Sequence, residues 1–578
     1  MKVRWLFFLL ICLAACENSQ LTNVTQAVVD LQEVNALQLA LSETANEDNL
    51  ITKVDTSTAT IGIHLESGEV ISALSHLFVD INPNRTAWSI EFRFLRTDES
   101  LVLPLKGDSF GIDLAPEFDY KTSLFPLIQP VGISVPFRGG IRYTVHGKSG
   151  EAADIRSPTI VVDRQTEVTV LGLYPEYVNE VTVDYYSNEG VLRSSQVLSV
   201  SREGIPIPGG YVMSTPRVEV LVNEDRDGPV KLFLANYRRT LRPFIIDQFG
   251  DVRWYTHYQG AYGLQQSHNG NILVATGPYL DGVTPMDGVL EFSLDGRVVR
   301  TYTLPRPYNK VHHDIHELRN GDLLLTVNSD ELETVEDVIV LMDRNLGQIK
   351  RVWDLNASIP RNYELIRDTT DWLHVNAVTL DERDKSLILS ARASGLFKVS
   401  WDNELKWILS GGRGFENHRE FMIDAQHEVF WGQHDIQLDE QNDVYYVFDN
   451  GYARHYSGLN KYSRGVKFTV DEATLTSTQI QEYGADLPEY YAPFISGIAY
   501  RDDGNVLLNF GALGFDCSYT NNVDRRCWRV LDRGFGAAWV EYDMAGTMVF
   551  HARFSQPRED GMEAGMYRAR YVDLFKGF

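Results

Sequence analysis

Six times in its C-terminal two-thirds the chain repeats one short phrase: an apolar strand that ends in aspartate, a turn, and another apolar stretch. The copies are Ile246-Asp247, Leu294-Asp295, Met342-Asp343, Trp401-Asp402, Val470-Asp471 and Tyr542-Asp543, at intervals of 48 to 72 residues. Between most of them runs a second phrase of strand, polar turn and strand, at Asn269 to Leu273, Asn320 to Leu324, Asp381 to Ile388, Glu440 to Tyr446 and Asp503 to Leu507. Two hairpins per repeat make a four-stranded unit, and such units stack radially as blades. The spacing predicts an all-β chain with a six-bladed β-propeller over residues 209–578, the segment Tyr211 to Tyr237 closing the ring against the last blade near Trp539 to Phe554.

A chain of 578 residues exceeds one ordinary domain, and what precedes the repeats reads differently. Residues 57–208 alternate in strand fashion, as in Ile61 to Leu65, Ser89 to Phe94, Val168 to Leu171 and Val181 to Tyr186, which predicts an N-terminal β-sandwich. Residues 17–56 are polar and read as a tether and entry segment, with room for a short helix near Val28 to Leu41. Residues 1–16 have the form of a bacterial lipoprotein signal: Lys2 and Arg4, an apolar run from Trp5 to Ala15, and the lipobox-like Leu13-Ala14-Ala15-Cys16. The run is too short to remain as a membrane span, so cleavage would leave a soluble protein tethered through acylated Cys16. Glu17 follows where aspartate would favour inner-membrane retention. The expected location is therefore periplasmic and lipid-anchored, at the outer membrane.

The formal net charge of −26 repels phosphate backbones and argues against nucleic acid as a partner. A small anionic substrate would need its own cationic pocket. Of the four cysteines, Cys12 lies in the signal and Cys16 would carry the lipid, leaving Cys517 and Cys527. An oxidising compartment would let these two form a disulfide, closing a short loop for roughly 2–3 kcal/mol. No CxxC pair is present, so cysteine redox or zinc chemistry is not expected.

Aligning the second phrase by its turn puts three histidines at one point of successive units: His313 in His313-Asp314-Ile315, His374 in His374-Val375-Asn376 and His434 in His434-Asp435-Ile436. Flanking units hold Tyr262 and Ser496 there, so the repeat itself does not demand histidine. The first strand of each blade lines the central channel, which would bring the three imidazoles to one funnel. The hairpin turning near Arg383 sets residue 374 opposite residue 392, adding Arg392, with Asn376 two residues along on the same side. Asp314 and Asp435 alternate to the other face, as structural partners. Two other uses of the histidines are His–Asp links that stitch strands together, and a metal site, which the permanent charge on Arg392 would oppose. The preferred chemistry is a pocket for a tetrahedral oxyanion. Arg392, Asn376 and two histidines would donate to its oxygens while the third histidine attacks sulfur or phosphorus, without a cofactor or metal. Tyr445, Tyr456, Tyr490 and Tyr491 could stack on aryl groups.

The strings Asp371-Trp372-Leu373-His374-Val375-Asn376, Ser390-Ala391-Arg392, Gln433-His434-Asp435, Phe448-Asp449-Asn450-Gly451 and Tyr462-Ser463-Arg464 together resemble the bacterial arylsulfate sulfotransferases. Leu171-Gly172-Leu173-Tyr174-Pro175 is similar to the N-terminal β-sandwich of that family. The resemblance implies a six-bladed propeller enzyme that moves a sulfuryl group from an aryl sulfate ester to a phenolic acceptor, by a ping-pong route and without a nucleotide sulfate donor. By position, His434 matches the transiently sulfated histidine, while His374, Asn376 and Arg392 match sulfate-binding residues. His313 matches the remaining histidine, in competition with His312, and Arg464 takes a supporting substrate-binding role. The family also implies a homodimer. Members carry a short cystine between the arginine segment and the nucleophile, which this chain lacks; its Cys517 and Cys527 lie later. An aryl sulfate hydrolase and a non-catalytic binding lipoprotein are the rival readings.

Overall fold

A computed structural model describes residues 19–46, 49–56, 59–84, 89–95, 97, 100–104, 111–114, 118–135, 138–163, 165–188, 190–207, 211–213, 217–226, 228–237, 241–260, 262–276, 288–362, 368–410, 414–452, 454, 460–520, 524–529, 536–555 and 565–577, with backbone alone at 19–30, 56, 83–84, 113, 206–207, 211–213, 516–520 and 524–529. The expected signal, Cys16 and Tyr456 lie outside the described residues. Among them there is one α-helix, Ser19–Thr44, and the remaining regular structure is almost entirely β-strand. No described helix is long and apolar enough to cross a membrane.

From residue 217 onward the described strands form six sheets of four or five strands, antiparallel except where Asp424–Ala425 joins the fifth, and a separate two-stranded hairpin of Phe515–Thr520 and Asp524–Arg529. The second to fourth sheets take their strands in sequence order from 262–303, 308–354 and 375–409. The fifth spans 434–483 and adds the short strand Asp424–Ala425. The first and sixth sheets are composite. Strand Met566–Tyr571 completes the sheet of Leu232–Tyr237, Pro243–Asp247 and Val252–Tyr255, and Arg217–Asn223 completes the sheet of 497–555. The closing segment expected from sequence thus supplies its strand. A second closure, by the C-terminal strand, had not been expected.

The repeating phrases mark definite places in each sheet. The aspartate phrase ends the third strand, as at Pro243–Asp247, Val338–Met342 and Arg464–Asp471. The polar-turn phrase joins the first two strands. Inner strands are covered on both faces and are continuously buried, as at Leu323–Ser329 and Ser386–Ala391, whereas the outer strand Val298–Thr303 is largely exposed. Gly270 at one of the turns has φ +87°, and a β-carbon there would fall 1.7 Å from the Lys576 carbonyl oxygen, so only glycine lets the C-terminal segment lie against this hairpin.

The innermost strands are Met566–Tyr571, Tyr262–Gln266, Tyr308–Glu317, Val375–Asp381, His434–Asp439 and Gly497–Tyr500; each touches the next, and the last touches the first. Buried ion pairs brace this ring. Asp314 accepts from Arg568 and, at 2.9 Å, from the Val378 N–H. Asp435 accepts from the Ile498 N–H at 2.8 Å and from both terminal nitrogens of Arg570. Arg568 also donates to the Asn376 carbonyl at 2.7 Å. The expected structural roles of Asp314 and Asp435 are met, with partners from the unexpected closing strand. Removing one member leaves buried charge uncompensated, so Asp435→Ala is expected to cost about 3–5 kcal/mol, read from the urea midpoint.

Ahead of the six sheets, the helix sets Val34, Leu37 and Leu41 against Ile51, Ile63 and Phe92, in a core shared with the strands of residues 51–104. The strands of residues 111–202 have a separate core, continuous with Trp254 and Phe292 of the first two sheets. The stretch 57–208 therefore contributes to more than one core, the helix covering the first set of strands while Leu127 and Ile205 also pack with Phe233 and Trp539 of the later sheets. Fully buried Arg253 joins the second set to the ring, donating to the carbonyls of Gly172 and Ala153 and pairing with Asp247 at 2.9 Å.

Candidate active site

The innermost strands do not keep regular alternation where the histidines lie. Register shifts interrupt them between Val311 and Ile315, Val375 and Ala377, and His434 and Gln437. Left-handed φ values occur at His313 (+52°), His374 (+55°) and Asp435 (+62°). Such conformations cost roughly 1–3 kcal/mol each and persist where the surroundings enforce them, commonly at functional sites.

His313 and His374 meet edge to face, their ring centroids 4.9 Å apart, and His313 also packs on Tyr262 at 5.0 Å and Tyr567 at 6.0 Å. His312 lies behind, buried, its Nδ1 2.8 Å from His313 Nδ1. His313 is thus the member of the pair whose ring meets His374. The charges of His374 and Arg392 act on His434, which joins it electrostatically to the same cluster.

His434 is buried, and its Nδ1 lies 2.7 Å from Asn450 Oδ1 and 3.1 Å from the Gly432 carbonyl. Both are acceptors, because the Asn450 amide nitrogen donates instead to the carbonyls of Ala492 and Ile495, at 2.7 and 2.8 Å. Nδ1 must therefore carry the proton and Nε2 the lone pair. Burial, and then the Arg392 charge, push the imidazole well below its ordinary pKa, so it is uncharged at neutral pH.

Arg392 lies across from His374, its N–H donating to the His374 carbonyl at 3.0 Å, as the hairpin register required. Its guanidinium lies against the Tyr452 ring at 4.8 Å. Among the described residues no carboxylate pairs with it, and its Nε is buried without an acceptor. A buried guanidinium donor left unpaired is costly, and a bound anion is what would complete it.

The register shift at Val375 alters the expectation for Asn376, since it breaks the two-residue period used to place that side chain beside His374. Asn376 is fully buried, one amide N–H donates to the Gln433 carbonyl at 2.7 Å, and Oδ1 has no partner. Arg464 is occupied by Asp449 at 3.2 Å, Glu482 at 2.6 Å and the Glu428 carbonyl at 3.0 Å, so its supporting part is to hold Asp449, not to donate to an anion. Tyr445 and Tyr490 are core residues, stacked with Phe468 and hydrogen-bonded to His551 respectively, and are not free to stack on an aryl group. Tyr262, Tyr452 and Tyr567 surround the imidazoles and Arg392 instead.

Two groups were not anticipated. Glu336 Oε2 lies 2.9 Å from His374 Nδ1 and 3.7 Å from His313 Nδ1, and Asp371 Oδ2 accepts from His374 Nδ1 at 2.7 Å. The donor atoms of His312, His313 and Glu336, and those of Glu336, Asp371 and His374, are spaced closely enough to consider a cation. Hydrogen-bond contacts already join the two Nδ1 atoms at 2.8 Å and His374 to Asp371 at 2.7 Å, so these sets fit protons better than a metal ion. A third set, Asp381, Asp384 and Glu472, shares Lys398 at 2.9, 3.0 and 2.5 Å and is balanced by it together with Arg383 and Lys406.

Residues 217–556 match the family model Arylsulfotransferase (ASST), and residues 125–201 match the Arylsulfotransferase Ig-like domain. The chain belongs to the arylsulfotransferase family. Curated relatives include the arylsulfate sulfotransferase AssT of Escherichia coli O6:H1 strain CFT073, 22% identical over 505 residues, covering 67% of this chain and 83% of that protein. The arylsulfate sulfotransferase AssT of Lelliottia amnigena is 23% identical over 492 residues, covering 64% of this chain and 80% of that protein. Among solved structures, the C-terminal WD40 domain of Sif2 has 9% identity and a TM-score of 0.26, covering 79% of this chain and 96% of that one, a likeness too low to bear on the fold.

Proposed function

We propose that the chain is an arylsulfate sulfotransferase that works through a sulfated His434. The supporting observation is the fixed tautomer of that residue, with Nδ1–H on Asn450 and an unprotonated Nε2 in a cluster with an unpaired arginine. The Nε2 lone pair attacks sulfur as the S–O bond to the aryl oxygen breaks, and the bonding pair leaves with the phenolate. The sulfated ring is then an N-sulfoimidazolium whose Nδ1–H bond to Asn450 strengthens. An acceptor phenolate oxygen attacks the same sulfur, and the N–S electron pair returns to Nε2. Charge on the sulfuryl oxygens falls to Arg392, His374, His313 and Asn376, with no cofactor.

The six sheets, with inner strands touching in cyclic order, support the reading of residues 209–578 as a six-bladed propeller, and residues 57–208 carry the N-terminal sandwich of the proposal. Cys517 and Cys527 are backbone partners in the hairpin of Phe515–Thr520 and Asp524–Arg529, a register that suits a disulfide. The proposal further holds residues 1–16 as a lipoprotein signal, residues 17–56 as the entry segment, a periplasmic outer-membrane tether at Cys16, and a homodimer.

The test is purified protein with 4-nitrophenyl sulfate, with and without phenol. Transfer predicts phenol-dependent nitrophenolate release, parallel-line initial-rate patterns, and a sulfated His434 peptide when the acceptor is withheld. Release indifferent to phenol would make the chain a hydrolase, and no release a binding protein.

A further inference from the structure

We propose that Glu336 and Asp371 are positioning residues that together hold His374 as an imidazolium, its Nε2–H offered to a sulfuryl oxygen, beside an uncharged His434. This rests on the sulfuryl-transfer reading of the same site. The geometry assigns both carboxylates to one ring nitrogen: His374 Nδ1 is 2.7 Å from Asp371 Oδ2 and 2.9 Å from Glu336 Oε2. The N–H is aligned with Asp371, while Glu336 Oε2 has no aligned donor and acts by its charge. Both side chains are mostly buried, 12% and 22% exposed, which keeps solvent from screening them.

Glu336 is not adrift. Its N–H donates to Asn328 Oδ1 at 2.9 Å, its carbonyl accepts the Val375 N–H at 3.0 Å, and it takes a left-handed φ of +61° between them. The carboxylate is thereby fixed to the strand that follows His374. Asp371 reaches the same nitrogen from three residues upstream. The other groups facing this imidazole are His312 and His313 from the preceding sheet, His434 from the following one, and Arg392 across the hairpin, none of them anionic.

The titration of the cluster agrees. Burial alone would depress His374, but the Glu336 charge and the Asp371 hydrogen bond outweigh it and raise the pKa to about 9. Burial would raise Glu336, yet its close approach to the His313 and His374 rings holds it well below the usual carboxylate range. His313 goes the other way, depressed by burial. Of the three imidazoles one is therefore a standing cation, which with Arg392 answers the charge that gathers on the sulfuryl oxygens, while the nucleophile keeps its lone pair.

The experiment uses the full chain, comparing wild type with Glu336→Gln, Asp371→Asn and the double variant. It reads kcat/KM for 4-nitrophenyl sulfate from pH 5 to 10, nitrogen NMR of the histidine rings, and thermal midpoints as a check on folding. His374 is charged below its pKa and loses the charge as pH rises through it, so wild-type activity should decline above a pH of about 9. In the double variant burial acts unopposed, so the decline should begin below the ordinary histidine value of about 6.5, with a loss of at least about 30-fold at pH 8 that shrinks steadily towards pH 5. An equal loss at all pH values in a folded variant would reduce the carboxylates to structural parts and overturn the proposal. So would a wild-type His374 that NMR finds neutral at pH 7, a result that needs no turnover and so stands apart from any failure of the sulfuryl-transfer reading. Stoichiometric zinc binding lost in Glu336→Gln would overturn it as well.

Discussion

His434→Ala is expected to remove phenol-dependent release of nitrophenolate by roughly 10⁴-fold or more, the scale on which loss of a nucleophile is felt in a covalent mechanism. His374, with its Nδ1 on two carboxylates, is held as an imidazolium and has no lone pair to offer in its place. What remains in the variant is a pocket of Arg392, His374 and His313 that still binds the donor, so KM should change far less than kcat. Any residual release should no longer respond to phenol, and the sulfated peptide should vanish from the mass spectrum. Folding is affected modestly, because Asn450 Oδ1 loses its donor at a cost of about 1–3 kcal/mol, visible as a lower thermal midpoint. Retained ping-pong turnover in His434→Ala would end the assignment.

Arg392→Met should lower kcat/KM for the aryl sulfate by about 10²–10³-fold, the usual effect of deleting a donor that meets developing charge. The stability should hold or rise. Most of the arginines that brace the rest of the fold are paired, as Arg253 is with Asp247 and Arg568 with Asp314, whereas Arg392 has no carboxylate among the described residues. Arg392 is half-buried with its Nε cut off from water, and replacing it by an apolar side chain of similar length removes the cost of leaving that donor unmet. The variant should also move the acid limb of the pH profile. The Arg392 charge helps keep His434 below its ordinary pKa. Without it His434 protonates at higher pH, the lone pair is lost sooner, and the acid limb shifts upward. A large loss of stability without a change in that limb would mean that Arg392 is a structural residue.

The repeat phrases in the sequence correctly marked where strands end and turn, because a strand covered on both faces must be apolar and a tight turn must be polar or glycine. Arg392 beside His374 also followed from counting across a hairpin. The same counting failed at Asn376, where a register shift and a left-handed His374 interrupt the pleat, and no periodicity announces such a shift. Glu336 lay beyond reach for another reason: it sits in a connecting loop, and its approach to His374 depends on tertiary contacts with Asn328 and Val375. Asp371 was in view, within the string around His374, without its partner being evident. Tyr567, Arg568 and Arg570 left a visible trace, an aromatic and two arginines at alternate positions near the end of an acidic chain, but nothing local says that this strand completes the first sheet. Tyr445 and Tyr490 show the opposite error, since an aromatic side chain is recognised by the core as readily as by a ligand.

The last strand of the chain, Met566–Tyr571, delivers the cations that neutralise Asp314 and Asp435. Until it arrives, those two carboxylates, each next to a histidine of the site, lack their counterions in a low-dielectric interior, and their field would raise the basicity of the neighbouring imidazoles. Arg568 is also among the charges that hold the His434 imidazole low, after burial and Arg392, so the strand that braces the inner ring helps to tune the nucleophile as well.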